Sequence, residues 1–258
     1  MKKLILIFFL MSCSFNSQAQ KHRSNDYYLI KIYHCSNSTQ IDEVEAYTGK
    51  QLIPFLHNLG IGPVGIFKQI NNDTLPDKKL IVWIPLRKLE NLEKMERKFA
   101  GISPFGNDSL VNADSSRQGL MYSRIETILT AAFKDKPHFS VKAGLSKSAD
   151  NIYEYRSYES ASENLHLRKV HMFNEGGEIR IFERLHFNAL FYSRVIVGSR
   201  MPNLIYMTRF ADKADRDAHW SQFGKDPEWK RISSLPDYKN SVSKQDIYLL
   251  NASVYSEL

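Results

Sequence analysis

Glu154, Arg156 and Tyr158, spaced two apart, are the strongest candidates for chemistry in this 258-residue chain. They sit in Tyr153-Glu154-Tyr155-Arg156-Ser157-Tyr158, within a stretch that reads as a β-strand. Successive side chains of a strand point to opposite faces, so Glu154, Arg156 and Tyr158 share one wall and Tyr153, Tyr155 and Ser157 the other. An acid, a guanidinium and a phenol on one wall can orient a ligand in a polar pocket. The same residues can instead form an intrastrand Glu154/Arg156 pair lining a filled barrel. A charged pair is costly under packed helices, which places this wall toward a barrel interior or solvent. On the next predicted strand Tyr206 and Arg209 point to opposite faces, so only one of them can join the wall; Arg209 is kept as a candidate ligand contact.

Histidines are the other source of acid–base chemistry. His166, His171, His186 and His219 all fall in the second half. His166 and His171 are five apart and do not share a helix face, and no acid or cysteine sits at a usual zinc spacing, so neither a metal nor a cofactor is expected. His219 beside Trp220 can serve as a general base at a pocket mouth, or the two can pack a helix onto a sheet. Cys35, at the end of its predicted strand, reads as a small core residue.

The N-terminus addresses the chain. Lys2 and Lys3 precede the apolar run 4–11, and small and polar residues follow up to Ser17-Gln18-Ala19, the pattern of a signal peptide cleaved after Ala19. The run is too short to span a bilayer, and no later stretch replaces it. Leu10-Met11-Ser12-Cys13 offers an alternative, a lipoprotein anchored through Cys13. Either processing leaves Cys35 as the lone thiol, so folding rests on burial without disulfides. The formal charge of +7 falls to +5 once Lys2 and Lys3 are removed, and acids and bases are interspersed, as in Arg87-Lys88-Leu89-Glu90. No basic stripe with interleaved aromatics is present, which excludes a nucleic-acid footprint.

The positioning elements repeat. Residues 205–224 align without a gap to 81–100, pairing Ile205 with Ile81, Phe210 with Leu86, Ala218 with Lys94 and Phe223 with Phe99. In the first copy, residues 26–35, 64–70, 80–86 and 122–131 read as strands. Ile41, Val44, Thr48, Leu52, Phe55, Leu56 and Leu59 form one helical stripe, with Thr39 and Asp42 as an approximate capping box, Pro54 as a kink and Gly60 as the stop. Leu89, Leu92, Met95 and Phe99 mark a second helix.

In the second copy, residues 151–159, 189–197 and 204–210 read as strands. Ser160 and Glu163 are placed to cap a helix that breaks at Gly176-Gly177. Asp226-Pro227-Glu228 is a helix start, with an N-cap, a proline at the first position and an acid in the first turn. Strand-helix-strand-strand-helix-strand is the ferredoxin-like plan. The fold class is therefore α+β: a signal peptide, a diverged repeat over 20–133 with a long loop at 101–119, a connector at 134–150, and a second repeat over 151–258. The two helix-free sheet faces cover each other in a barrel.

Tyr153-Glu154-Tyr155-Arg156-Ser157-Tyr158 resembles the Y-E-L-R-x-Y strand that opens NIPSNAP domains, and His219-Trp220 through Asp226-Pro227-Glu228-Trp229 resembles their closing helical segment. The resemblance covers residues 151–250; the first repeat has no counterpart of Asp-Pro-Glu-Trp. It implies a dimeric α/β barrel architecture and leaves a homodimer open, but it supplies no catalytic residues. The expected role is an exported module that binds a small molecule or a partner without catalysis, with Glu154, Arg156, Tyr158, Arg209 and His219 as ligand contacts. The alternative is a cofactor-independent monooxygenase- or isomerase-like enzyme using a pocket around Glu154, Arg156 and His219. That enzyme requires a cavity holding those residues together, and a barrel filled by side chains would remove it. A partner surface requires exposed tryptophans, and burial of Trp220 and Trp229 would remove its anchors.

Overall fold

A computed structural model describes residues 25–72, 74–102, 120–140 and 148–258. The proposed signal and lipobox residues, Ala19 and Cys13 among them, lie outside the described residues, as do most of the 101–119 loop and part of the 134–150 connector.

Eight strands close into one barrel: β1 (Tyr27–Cys35), β2 (Gly65–Gln69), β3 (Lys78–Pro85), β4 (Arg124–Ala132), β5 (Ile152–Glu159), β6 (Asn188–Val197), β7 (Asn203–Phe210) and β8 (Lys244–Ala252). Their order around the barrel is β1-β3-β2-β8-β5-β7-β6-β4, and every neighbouring pair is antiparallel. Within each half the fourth strand neighbours the first, then come the third and the second. The halves join through β2–β8 and β4–β6, so closure leaves no sheet edge and needs no second chain.

Alternation along the strands fills the barrel. Each strand sends apolar or aromatic side chains inward, among them Tyr28, Phe67, Trp83, Ile128, Tyr153, Phe191, Met207 and Leu250, all buried in one cluster. Tyr28, Trp83 and Phe191 pack with ring centroids 5.2 to 5.6 Å apart and Phe67 meets Tyr153 at 4.8 Å, so the centre is packed side chain.

Helices cover the outside. Those of the first half are α1 (Ser38–Tyr47), α2 (Ile53–Asn58) and α3 (Leu89–Ala100); those of the second are α4 (Glu163–Phe173), α5 (Glu178–Arg184), α6 (Lys213–Lys225) and α7 (Pro227–Ser234). Each set has its own core against the sheet. Residues 81–100 and 205–224 each run from a strand into a helix, β3 with α3 and β7 with α6.

Local chemistry sets the ends. The α1 cap is Asn37, whose side chain accepts from the Gln40 amide, not Thr39. The α4 cap is Ser162, which accepts from the Leu165 amide, not Ser160. An Asn or Ser directly before the first helical turn wins because its oxygen reaches the N3 amide without bending the chain. A wide turn, Thr48–Leu52, separates α1 from α2 just before Pro54, where the missing N–H breaks the ladder. At the α4–α5 break, a Cβ on Gly176 would lie 2.6 Å from the Met172 carbonyl, and Gly177 has φ +98°, so both positions need glycine.

One expectation is reversed. Glu154, Arg156 and Tyr158 do share a face of β5, but it is the helix side, while Tyr153 and Tyr155 take the interior. The desolvation cost that argued against this is met by partners on α6 that the strand alone does not reveal.

Candidate functional site

Glu154 is fully buried and each carboxylate oxygen is doubly engaged. Oε1 accepts from Arg156 Nε at 2.6 Å and Arg216 Nη2 at 3.1 Å; Oε2 accepts from Arg216 Nε at 2.7 Å and Trp220 Nε1 at 2.8 Å. The Arg156 guanidinium stacks 3.8 Å from the Trp220 ring centre and donates to the Tyr158 hydroxyl at 2.7 Å, which lies 3.0 Å from that of Tyr206. Burial works to lower the Arg156 pKa, but Tyr206, Tyr158 and Glu154 outweigh it and hold the guanidinium charged. This closed network bolts α6 onto β5. Both carboxylate oxygens are fully engaged within it.

The five predicted contacts do not converge. Arg209 faces the other way, into the barrel, where it bonds the Asn151 side chain and lies 5.6 Å over the Tyr153 ring. His219 donates from Nδ1 to the Asp215 carbonyl at 2.8 Å and packs edge-on against Phe187 and Phe210. Glu154 and Arg156 lie against a helix–sheet layer of packed aromatic rings, and His219 is held by Asp215. Trp220 and Trp229 are half-buried, their rings against Phe187 at 5.0 Å and Phe223 at 4.4 Å, so neither serves as a free anchor.

The polar cavity lies elsewhere, at the barrel end where β1 and β5 finish and β3, β4, β7 and β8 begin. Its volume is about 230 Å³, over Ile32, Ile128, Tyr155 and Tyr248. Its central group is His34, 7% exposed. Strand alternation turns His34 inward behind Tyr28, Ile30 and Ile32. Its Nδ1 lies 2.8 Å from Asp77 Oδ1 and its Nε2 3.1 Å from Glu126 Oε1, a carboxylate against each ring nitrogen.

The surrounding groups form a mesh of both signs. Arg124 bonds Glu126 at 2.6 Å and reaches His34 Nε2 at 3.1 Å, and Ser199 donates to Glu126 Oε2 at 2.8 Å. Lys79 pairs with Asp77 at 2.9 Å; across the mouth Arg200 pairs with Asp246 and, at 3.4 Å, with Glu159. Burial pushes the Asp77 and Glu126 carboxyls up, but hydrogen bonds from Lys79 and His34 to the first, and from Ser199 and Arg124 to the second, outweigh it and hold both below the ordinary range. Burial holds the Tyr155 and Tyr248 phenols protonated. Asn203 donates from Nδ2 to Ser157 Oγ at 2.8 Å, while its buried Oδ1 has no partner. Among the described residues no group of three or more His, Cys, Asp or Glu side chains is arranged to hold a metal ion.

Sequence reasoning missed His34 because its partners stand 43 and 92 residues away. One signal was present: a titratable residue on the otherwise apolar inward face of β1.

No curated protein matches the chain in sequence. Among solved structures the fold is similar to a candidate monooxygenase from Lactobacillus acidophilus NCFM, 11% identical, with a TM-score of 0.56 over 89% of this chain and 95% of that one. It is also similar to a candidate monooxygenase from Fusobacterium nucleatum subsp. nucleatum ATCC 25586, 10% identical, TM-score 0.52, over 89% and 93%. An anthrone oxidase-like protein gives 9% identity and a TM-score of 0.57 over 89% and 92%. Likeness at this identity is one of fold, and reactions do not travel with folds. Residues 153–257 match the NIPSNAP family. The match opens on Tyr153, beside Glu154 in the strand that carries the clamp, and runs past β8, so the second half of this chain is a NIPSNAP domain.

Proposed function

We propose that this protein is a small-molecule-binding barrel whose ligand occupies the mouth around His34, while the signature residues Glu154, Arg156 and Trp220 hold the fold. The observation that carries this reading is the pairing of a polar cavity of about 230 Å³, open at the barrel end, with a buried, unpartnered acceptor, Asn203 Oδ1, on a residue that lines it. A buried carbonyl without a donor costs about 1–3 kcal/mol, and a ligand N–H or O–H relieves that cost. Binding without catalysis fits the histidine: with Asp77 and Glu126 against its two nitrogens, His34 presents no open base.

We also read the barrel as two ferredoxin-like repeats, 20–133 and 151–258, joined by 134–150. His34, Asp77 and Glu126 come from the first, and Ser157, Arg200 and Asn203 from the second, so the mouth requires both. The first nineteen residues are read as an export signal, with lipidation at Cys13 as the alternative.

Native mass spectrometry of the protein purified from its source tests these readings together. Expected are a chain beginning at Gln20 and a co-purifying small molecule lost on His34→Ala. A chain that retains residues 1–19 overturns the export reading. Absence of any co-purifying molecule, together with no binding from a broad metabolite panel, overturns the binding reading.

A further inference from the structure

His34 is held by contacts that no single protonation state satisfies. In the barrel register it stands directly between two cations, opposite Lys79 on β3 and Arg124 on β4. Its Nδ1 lies 2.8 and 3.0 Å from the two Asp77 oxygens, so that nitrogen carries a proton. Nε2 has an acceptor and a donor at the same 3.1 Å, Glu126 Oε1 and Arg124 Nη2. A proton on Nε2 suits Glu126 but sets two positive charges against each other at Arg124. A bare Nε2 suits Arg124 and leaves Glu126 to Arg124 Nη1 and Ser199. Tyr155 from β5, Tyr248 from β8 and Arg200 from the turn between β6 and β7 complete the titratable groups around it.

Arg124 is the partner that can move. Its side chain is 57% exposed, and among the described residues its guanidinium bonds only Glu126 and His34. An anion beside it takes over Nη2, and Nε2 is then free to take up a proton for Glu126. Charge favours the same coupling. The lining holds three permanent cations, Lys79, Arg124 and Arg200, and two carboxylates, Asp77 and Glu126. Just outside it Glu159 and Asp246 hold Arg200, and Lys244 lies 4.0 Å from Glu159. With or without that outer set, a proton on His34 adds one positive charge to a partly buried site, and an anion compensates it.

Resting on the reading of the mouth as a binding site, we propose that it takes a small monocarboxylate together with one proton, the carboxylate meeting Arg124 and the proton settling on His34 Nε2. The apolar residues Ile32 and Ile128 receive the body of the ligand, and about 230 Å³ holds on the order of eight non-hydrogen atoms. Imidazole is the side chain suited to such coupling, because its charge changes between about pH 5 and 8.

The test is calorimetric titration of the full folded chain with acetate, pentanoate and benzoate, and with pentanamide and benzamide as uncharged counterparts, at pH 6 and pH 8. Each titration is run in two buffers of different ionisation enthalpy, which counts the protons taken up. Expected are a carboxylate that binds while its amide binds at least tenfold more weakly, net proton uptake, and an affinity at least tenfold higher at pH 6; the linkage allows up to about tenfold per pH unit. His34→Gln, with an unchanged circular dichroism spectrum, is expected to remove the proton uptake and the pH dependence, and Arg124→Gln the preference over the amide. If His34→Gln does not fold, Glu126→Gln replaces it: without the acceptor at Nε2 the pH dependence moves to lower pH, and an unmoved dependence overturns the proposal. Carboxylate binding that Arg124→Gln weakens but that takes up no proton overturns the coupling and leaves the mouth as the site. An amide that binds as tightly as its acid overturns the choice of an anion. Binding unmoved by every variant overturns the proposal and the reading beneath it. No binding of any probe overturns the proposal, and the mouth as a binding site then rests on the co-purifying molecule alone.

Discussion

The indole N–H of Trp220 donates to Glu154 Oε2 at 2.8 Å while the same indole supports the Arg156 guanidinium 3.8 Å from its ring centre. One side chain of α6 thus touches both members of the β5 ion pair, one through its edge and one through its face. That is the physical content of the motif shared by strand and helix: a buried carboxylate is tolerable under a helix only if the helix brings its donors.

Removing the carboxylate leaves Arg156 and Arg216 facing each other across a dry cavity. Breaking a buried pair by deleting one partner costs about 3–5 kcal/mol. Glu154→Ala is therefore expected to lose most of that range in urea unfolding, with Glu154→Gln losing less because it still accepts from Trp220. A change under about 1 kcal/mol for Glu154→Ala would remove the clamp from the account of the fold.

Trp220→Phe separates edge from face. The smaller ring keeps contact with Phe187 and weakens the cation–π stack, but it has no N–H for Glu154. The expected loss is about 1–3 kcal/mol, combining one hydrogen bond to a charged acceptor with part of a stack. A double-mutant cycle with Arg156→Lys reads the stacking share, and a coupling indistinguishable from zero would show that Arg156 and Trp220 are neighbours without being partners.

The mouth predicts acid sensitivity with a definite sign. Asp77 and Glu126 have folded pKa values below the ordinary 3.8 and 4.5, so the unfolded chain binds more protons in that window. Their contribution is fully present above the unfolded values and is lost as pH falls through the lowered folded ones. Thermal melting from pH 6 to pH 3 is expected to show a declining midpoint in the native protein and a shallower decline in Glu126→Gln. Parallel curves would mean that Ser199 and Arg124 do not stabilise the charged form of Glu126. His34 and Lys79, the groups facing Asp77, stay in place in that comparison.

The helices and the strands from β1 to β7 were legible because they are written locally, in alternation, apolar stripes and end residues such as Gly60 and Asp226. The shared face of Glu154, Arg156 and Tyr158 was legible for the same reason. Which way that face pointed was not. The sign of its burial energy depends on Arg216 and Trp220, over sixty residues away, and the local rule that charges avoid packed helices gave the wrong side. His34 escaped for a related reason: its meaning lies in Asp77, Glu126 and Arg124, which only barrel closure brings to it.

Asp226 is the case in which the local reading suffices, and it makes the last prediction. Its Oδ1 accepts from the Glu228 and Trp229 amides at 3.0 Å each, ahead of Pro227 at the first position of α7. Its Oδ2 pairs with Arg184 of α5 at 2.8 Å, the leading cause of a carboxyl pKa below the ordinary value. Arg184 is half exposed, so that pair is screened and contributes little, whereas the cap leaves two amides unsatisfied when removed. Asp226→Asn, which keeps a capping oxygen, is therefore expected to stay near native stability. Asp226→Ala is expected to lose about 1–2 kcal/mol in denaturant unfolding. If Asp226→Asn falls as far as Asp226→Ala, the ion pair to Arg184 outweighs the cap, and α7 is held by α5 rather than by its own first turn.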